Sequence, residues 1–199
     1  MRIFHLDRRL HATPVLSRAQ ADEIVEVITL GFAADPFLRW LYPDPRHYLR
    51  HVARVVHAFG GRAFDHHGAH LNATRTAAAL WLPPGVKPDQ ATLIRTFAAS
   101  VPARKHRTLF RIDRQMQRFH PRTPCWHLAF IATDPCWQGQ GQGDALLAET
   151  LRLCDADGHP AYLESTNPAN LTLYRRHGFR EIGRIEVTGA PPIVPMLRD

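Results

Sequence analysis

Long apolar runs are missing from this chain. No window holds about 18 consecutive apolar residues, so no membrane-spanning helix and no membrane partner are expected. Cysteine is scarce: Cys125, Cys136 and Cys154 are odd in number and lack metal-ligand spacing. A reducing, cytoplasmic location fits that usage, and no metal site is expected. Lysine is nearly absent, with Lys87 and Lys105 standing among 25 basic residues. The basic residues fall in spread groups, Arg46 to Arg54, Arg104 to Arg122 and Arg175 to Arg184, and no dense tract appears. The formal charge of +7 therefore reads as the surface of a basic enzyme rather than as a nucleic-acid binder. The start, Met1-Arg2-Ile3-Phe4-His5-Leu6-Asp7-Arg8-Arg9, meets charge before any apolar stretch develops, which argues against a secretory signal.

What is present suits one domain. The chain has 199 residues, 45% of them apolar, with glycine and proline scattered and no internal repeat. Ser17 and Gln20 form a capping-box pattern, and Ile24, Val27, Ile28, Gly31 and Phe32 recur at helical spacing, which predicts a helix over 18–33. Asp35-Pro36 breaks it, and residues 37–42 are expected as an aromatic connector. Asp44-Pro45 starts a second helix, to about Phe64. Strands are expected over 68–73 and 76–82 as a hairpin, helices over 89–99 and 103–119, then a buried strand over 125–133 ending at Asp134-Pro135. Thereafter strand and helix alternate: a helix from about 141 to 156, a strand over 161–165, a short helix over 170–177 stopped by Gly178, and last strands over 179–187 and 193–197.

The informative stretch is Gln138-Gly139-Gln140-Gly141-Gln142-Gly143, between a strand and a helix. Glycines at alternate positions allow a tight turn with no Cβ in the way. Consecutive N–H groups can then converge on one anion, aided by the positive end of the helix. The loop suits a pyrophosphate. It is neither a dinucleotide fingerprint, whose sixth position would be Asp144 or Leu146, nor a Walker loop, which ends in Gly-Lys-Ser/Thr.

The pattern Gln138-x-x-Gly141-x-Gly143 after a strand ending in Asp134-Pro135 resembles the coenzyme-A-binding motif of the GNAT (Gcn5-related) N-acetyltransferases. A second segment, Asn167 followed by Tyr174 and Gly178-Phe179, is similar to that family's other signature. Over 18–125 the Asp35-Pro36 turn and Ala79-Leu80-Trp81-Leu82-Pro83-Pro84-Gly85 resemble the puromycin-acetyltransferase-like members. The resemblance implies an α/β fold with a central mixed, mostly antiparallel twisted sheet flanked by helices on both faces. It implies a single domain over 1–199, with a helix-rich acceptor-side half over about 1–124 and a cofactor core over about 125–199.

It also implies acetyl-CoA as acyl donor and a small-molecule primary amine as acceptor, in a monomer or homodimer. Acetylation of a protein or peptide, and a coenzyme-A-binding regulator without turnover, remain alternatives. By resemblance, Ile131, Ala132 and Thr133 pair with the pantetheine arm. Gln138, Gly139, Gln140, Gly141, Gln142, Gly143 and Asp144 hold the pyrophosphate, and Arg176 (or Arg175) meets a phosphate at the adenine end. Asn167 and Asn170 flank the last helix start and face the cofactor. Tyr174 is expected to protonate the leaving thiolate.

For the base, His127 offers an imidazole and Glu164 a carboxylate in an apolar strand; either could serve, as could a water chain. On the acceptor side, Phe32, Asp35, Trp40 and Tyr42 would suit a cationic amine with a flat or apolar body. His66, His67 and His70 are close in sequence, but alternate strand residues face opposite sides, which argues against a metal site.

Overall fold

A computed structural model describes residues 16–199; the charge-interrupted stretch Met1 to Arg9 lies outside them. The first helix, α1 (Arg18–Gly31), starts at the expected capping box: Ser17 accepts from the Gln20 amide, and Gln20 reaches back to the Ser17 amide. Next comes α2 (Pro36–Leu41), in place of the expected connector. Asp35 caps it by accepting from the Leu38 N–H, and Pro36 sits at the first helical position. The Asp-Pro pair is thus a start signal as well as a stop, the same chemistry that starts α3 (Pro45–Gly60) at Asp44-Pro45.

The hairpin follows as β1 (Ala69–Leu71) and β2 (Ala77–Leu82), then α4 (Gln90–Ser100), capped by Asp89, and α5 (His106–Phe119). The second half holds β3 (Trp126–Thr133), α6 (Gln142–Asp157), β4 (Ala161–Ser165), α7 (Leu171–Arg176), β5 (Arg180–Glu181) and β6 (Val194–Arg198). The long strand expected over 179–187 is reduced to β5 and a single bridge from Ile185 to Ile193. Gly183 lies under the Phe119 ring of α5, so close that a Cβ there would sit 2.1 Å from a ring carbon. Helix packing takes that place in the strand.

The six strands form one sheet in the order β1-β2-β3-β4-β6-β5, antiparallel throughout except for the parallel pair β3–β4. One face packs under α6 and α7 through Ala77, Ala79, Leu128, Ile131, Leu147, Leu163 and Met196. The other packs under α1 and α3 through Ala78, Leu80, Phe130, Ala132, Ile28 and Val56. Helices therefore cover both faces.

Two irregularities shape the middle of the sheet. The first is a bulge between β2 and β3: Leu80 pairs with Phe130 but Trp81 pairs with Leu128, leaving Ala129 unpaired. A bulge shifts side-chain alternation by one. His127 therefore shares a face with Phe130 and Ala132, and Leu128 shares the other with Ile131. The second is a parting of strands. β3 and β4 pair only over Trp126 to Leu128 against Ala161 to Leu163, although β3 continues to Thr133. A gap opens beyond that point. Among the described residues, no helix is long and apolar enough to cross a membrane.

Candidate functional site

The loop between β3 and α6 forms from strong local signals. Asp134 accepts from the Cys136 N–H at 2.8 Å and starts a short 3-10 turn. Gly139 and Gly141 then take φ of +74° and +80°, where a side chain is strained and where the space beyond the Cα is open. α1, α2, α3 and α4 each have a serine or aspartate side chain at the N-cap. α6 starts at Gly141 with no side-chain cap. The amides of residues 139–144 donate to no described protein group. Orphan donors at a helix start need an acceptor. Here Gly139, Gly141, Gln142, Gly143 and Asp144 line a cavity at the positive end of a 16-residue helix.

That cavity, about 450 Å³, runs from the loop along the end of β3, beyond the point where β3 and β4 stop pairing. Ile131, Ala132 and Thr133 line one side; Asn167, Asn170 and Tyr174 line the other. Close approach of α1 closes the top. A Cβ on Gly31 would lie 2.7 Å from the Ala132 Cβ and 2.8 Å from the Thr133 carbonyl oxygen, so only glycine permits this packing. Gln138 donates to the Thr133 carbonyl at 3.1 Å, fixing the loop to the strand end. Asn167 caps the turn before α7 through the Ala169 N–H and still lines the cavity. Asp144 accepts from Arg176 at 2.8 Å and lies 3.1 Å from the His177 ring, which together hold its carboxyl below the ordinary range. Asp144 and Arg176 both line the cavity, tied to one another across α6 and α7.

At the inner end Tyr174 is buried and lines the cavity with Phe32 and Asp35. Burial, and then the nearby Asp35 charge, push the Tyr174 phenol well above its usual value, so it is protonated at neutral pH. Asp35 is itself buried. One oxygen accepts from the Leu38 N–H at 2.9 Å and the other from the Thr166 hydroxyl at 2.6 Å. Burial raises its pKa despite these hydrogen bonds. Thr166 is a site residue that sequence reasoning misses. Its partner lies 131 residues away, and nothing local marks it.

Two of the four expected acceptor-side residues do not reach the cavity. Tyr42 is wholly buried with its hydroxyl 2.7 Å from Ser100, in the core between α3 and α4. Trp40 stacks on Phe37 with ring centroids 5.6 Å apart, its face covered by the Lys105 ammonium 5.0 Å away. The helix α2 turns them inward, where a connector would have left them free.

The two expected bases form a separate cluster. His127 Nε2 lies 2.8 Å from Glu164 Oε2, with both side chains 6% exposed. Phe59, His120 and Tyr162 pack around the His127 ring. Burial alone would raise the Glu164 pKa, but the charge and hydrogen bond of His127 outweigh it and bring it below the ordinary value. Neither residue is among those lining the cavity. Glu164 follows the last β3–β4 pair, so the His127–Glu164 contact ties the two strands where they part. Cys125 and Cys154 are buried and their thiols pushed up to about 11 and about 12, which makes both poor nucleophiles.

Residues 109–181 match the family model described as an acetyltransferase (GNAT) domain. Solved structures agree. One is the histone acetyltransferase HPA2 and related acetyltransferase of Corynebacterium glutamicum, 25% identical over 93% of each chain, with a TM-score of 0.63. A second, described as an acetyltransferase, is 15% identical over 94% of this chain and 97% of its own, with a TM-score of 0.51. The mosquito arylalkylamine N-acetyltransferase like 5b is 12% identical over 92% and 97%, with a TM-score of 0.56. The last two show a shared fold. The matched region spans α5 to β5 and takes in the loop, the parted strands and Tyr174.

Proposed function

We propose that this GNAT acetyltransferase domain moves an acetyl group from acetyl-CoA to the primary amine of a small molecule, by direct attack while donor and acceptor are both bound. One observation carries the reading: the uncapped start of α6, the open end of β3 and Tyr174 border a single cavity. The residues fit the donor. The free amides of 139–144 suit its diphosphate, and the β3 edge at Ile131 to Thr133 offers main-chain groups to the pantetheine amides.

Acetyl-CoA supplies an activated acyl thioester; the chain supplies the rest. Tyr174, held protonated, gives its proton to the sulfur as the carbon–sulfur bond breaks. Asp35 receives the cationic amine and takes the first proton that nitrogen must lose, a task its raised pKa favours; the second, lost once the carbon–nitrogen bond has formed, restores the Tyr174 phenol, and Asp35 passes its own to solvent. Thr166 holds the carboxylate in place. Phe32 packs against the apolar body of the acceptor. His127 and Glu164 keep β3 and β4 together where the gap begins and so set its width. The likeness of Asp35-Pro36 and residues 79–85 to puromycin-acetyltransferase-like members supports a small-molecule acceptor.

A thiol-release assay with acetyl-CoA over small amines, amine-bearing antibiotics and peptides tests this. Release with small cationic amines, and intersecting initial-rate plots, are expected. Release with peptides alone, or parallel plots that mark an acylated enzyme, overturns it.

A further inference from the structure

β2 and β3 are consecutive, adjacent and antiparallel, a link that a hairpin loop of about 2–5 residues can make. Here residues 83–125 make it and carry α4 and α5. That connection is not needed to build the sheet, and it is where the charge lies. Residues 103–122 hold seven basic residues, Arg104, Lys105, Arg107, Arg111, Arg114, Arg118 and Arg122, against the lone acid Asp113. This stretch accounts for six of the formal +7. In sequence the arginines look spaced out; the helix gathers them. At about 100° per residue, Arg107, Arg111, Arg114 and Arg118 fall within an arc of about 60° and run about 16 Å along α5.

All four are exposed, and among the described residues none forms an ion pair. Elsewhere most exposed arginines of the second half are paired: Arg175 with Glu181, Arg176 with Asp144, Arg180 with Asp199, Arg184 with Glu186. Beside the stripe stands Phe110, 62% exposed, with the Arg114 guanidinium 6.0 Å from its ring centre. The opposite face of α5 is occupied. Ile112, Met116 and Phe119 pack on Ile185, Val187 and Ile193.

We propose that this face of α5 binds single-stranded nucleic acid, with the arginine row along the phosphates and Phe110 stacked on an unpaired base. Guanidinium forks match phosphate oxygens in pairs, and an exposed ring among them suits a base face. An anionic membrane fits less well, because an amphipathic helix binds lipid through its apolar face, and that face is buried in the protein core. The surface is separate from the acyl-transfer cavity and stands independently of the acceptor assigned to it.

Fluorescence anisotropy with a labelled 20-nucleotide single strand tests the proposal, using the whole protein. Binding is expected to weaken with salt at a log–log slope of about −3, four phosphates at about −0.7 each. Replacing Arg107, Arg111, Arg114 and Arg118 together by Gln should weaken binding at least about 100-fold at low salt, and Phe110→Ala about 10-fold. Acetyl-CoA affinity in both variants should match the wild type, which certifies their folding; Arg111→Gln with Arg114→Gln serves if the fourfold variant does not fold. No measurable binding, or binding indifferent to the arginines, overturns the proposal. So does arginine-dependent binding to anionic vesicles, duplex or an acidic peptide as tight as to the single strand, with Phe110→Ala harmless.

Discussion

Asp35 and Glu164 are two buried carboxylates, one at a helix cap and one in a strand, and their pKa values shift in opposite directions. Asp35 is held by neutral donors, the Leu38 amide and the Thr166 hydroxyl, and for it burial wins and the pKa rises. Burial pushes Glu164 the same way, but an imidazole 2.8 Å away adds a charge and a hydrogen bond that outweigh it, and the pKa falls. Asp35 lines the cavity. Glu164 is buried against His127 and Tyr162 and ties two strands together. A carboxylate in an apolar strand is conspicuous in sequence, yet it is the one at a helix cap that lines the cavity.

The proposed function puts ligand chemistry on the cavity side, and the sharpest break is at the loop. Gly141→Glu should weaken acetyl-CoA binding about 1,000-fold by calorimetry, since an uncompensated carboxylate would face the diphosphate. Gly141→Asn, neutral and tolerant of the left-handed backbone, should lose far less. Equal affinity for the glutamate variant would place the diphosphate elsewhere.

Tyr174→Phe should lower kcat about 100-fold while leaving the acetyl-CoA dissociation constant within about twofold, because the lost group acts on the leaving sulfur. A drop in affinity matching the drop in kcat would make the residue a packing aromatic.

The two carboxylates themselves should respond with opposite signs. Glu164→Ala leaves His127 without its buried partner and should cost about 3 kcal/mol in urea unfolding at neutral pH. A folded pKa below the ordinary 4.5 contributes stability that is present above that pH and lost as pH falls through the folded value. The wild type should therefore lose stability on acidification below about pH 4.5, and the variant should lose less.

Asp35→Asn keeps the helix cap, since asparagine caps as well as aspartate. Its folded pKa lies above the ordinary 3.8, so its contribution is present below that pH and lost as pH rises through the folded value. Removing the charge should leave stability at neutral pH unchanged or higher by up to about 1 kcal/mol, raise the acceptor KM about 10-fold and lower kcat about 100-fold. If Asp35→Asn destabilises as Glu164→Ala does, the contrast between the two sites fails.

Much of this is legible in the chain because it is local. The Ser17 capping box, the Asp44-Pro45 start, the glycine loop before α6 and the Gly178 stop each act within a few residues, and each falls where expected. Asp35-Pro36 carries the same start signal as Asp44-Pro45, but its helix is only six residues and too short to show a period. Trp40 and Tyr42 follow from that: side chains expected on a free connector are turned inward by a helix.

Sequence alone determined the α/β class, the glycine turn before α6 and the position of Tyr174 beside the second motif, all set by residues near one another in the chain. Tertiary structure decided the rest. The bulge at Ala129 moves His127 off the Ile131 face, the β3–β4 pairing stops at Leu128, and Thr166 meets Asp35 across 131 residues. One unpaired strand residue shifts every side chain beyond it to the other face, and a hydrogen bond between distant segments exists only after both have been packed. Neither leaves a period in the chain to be read.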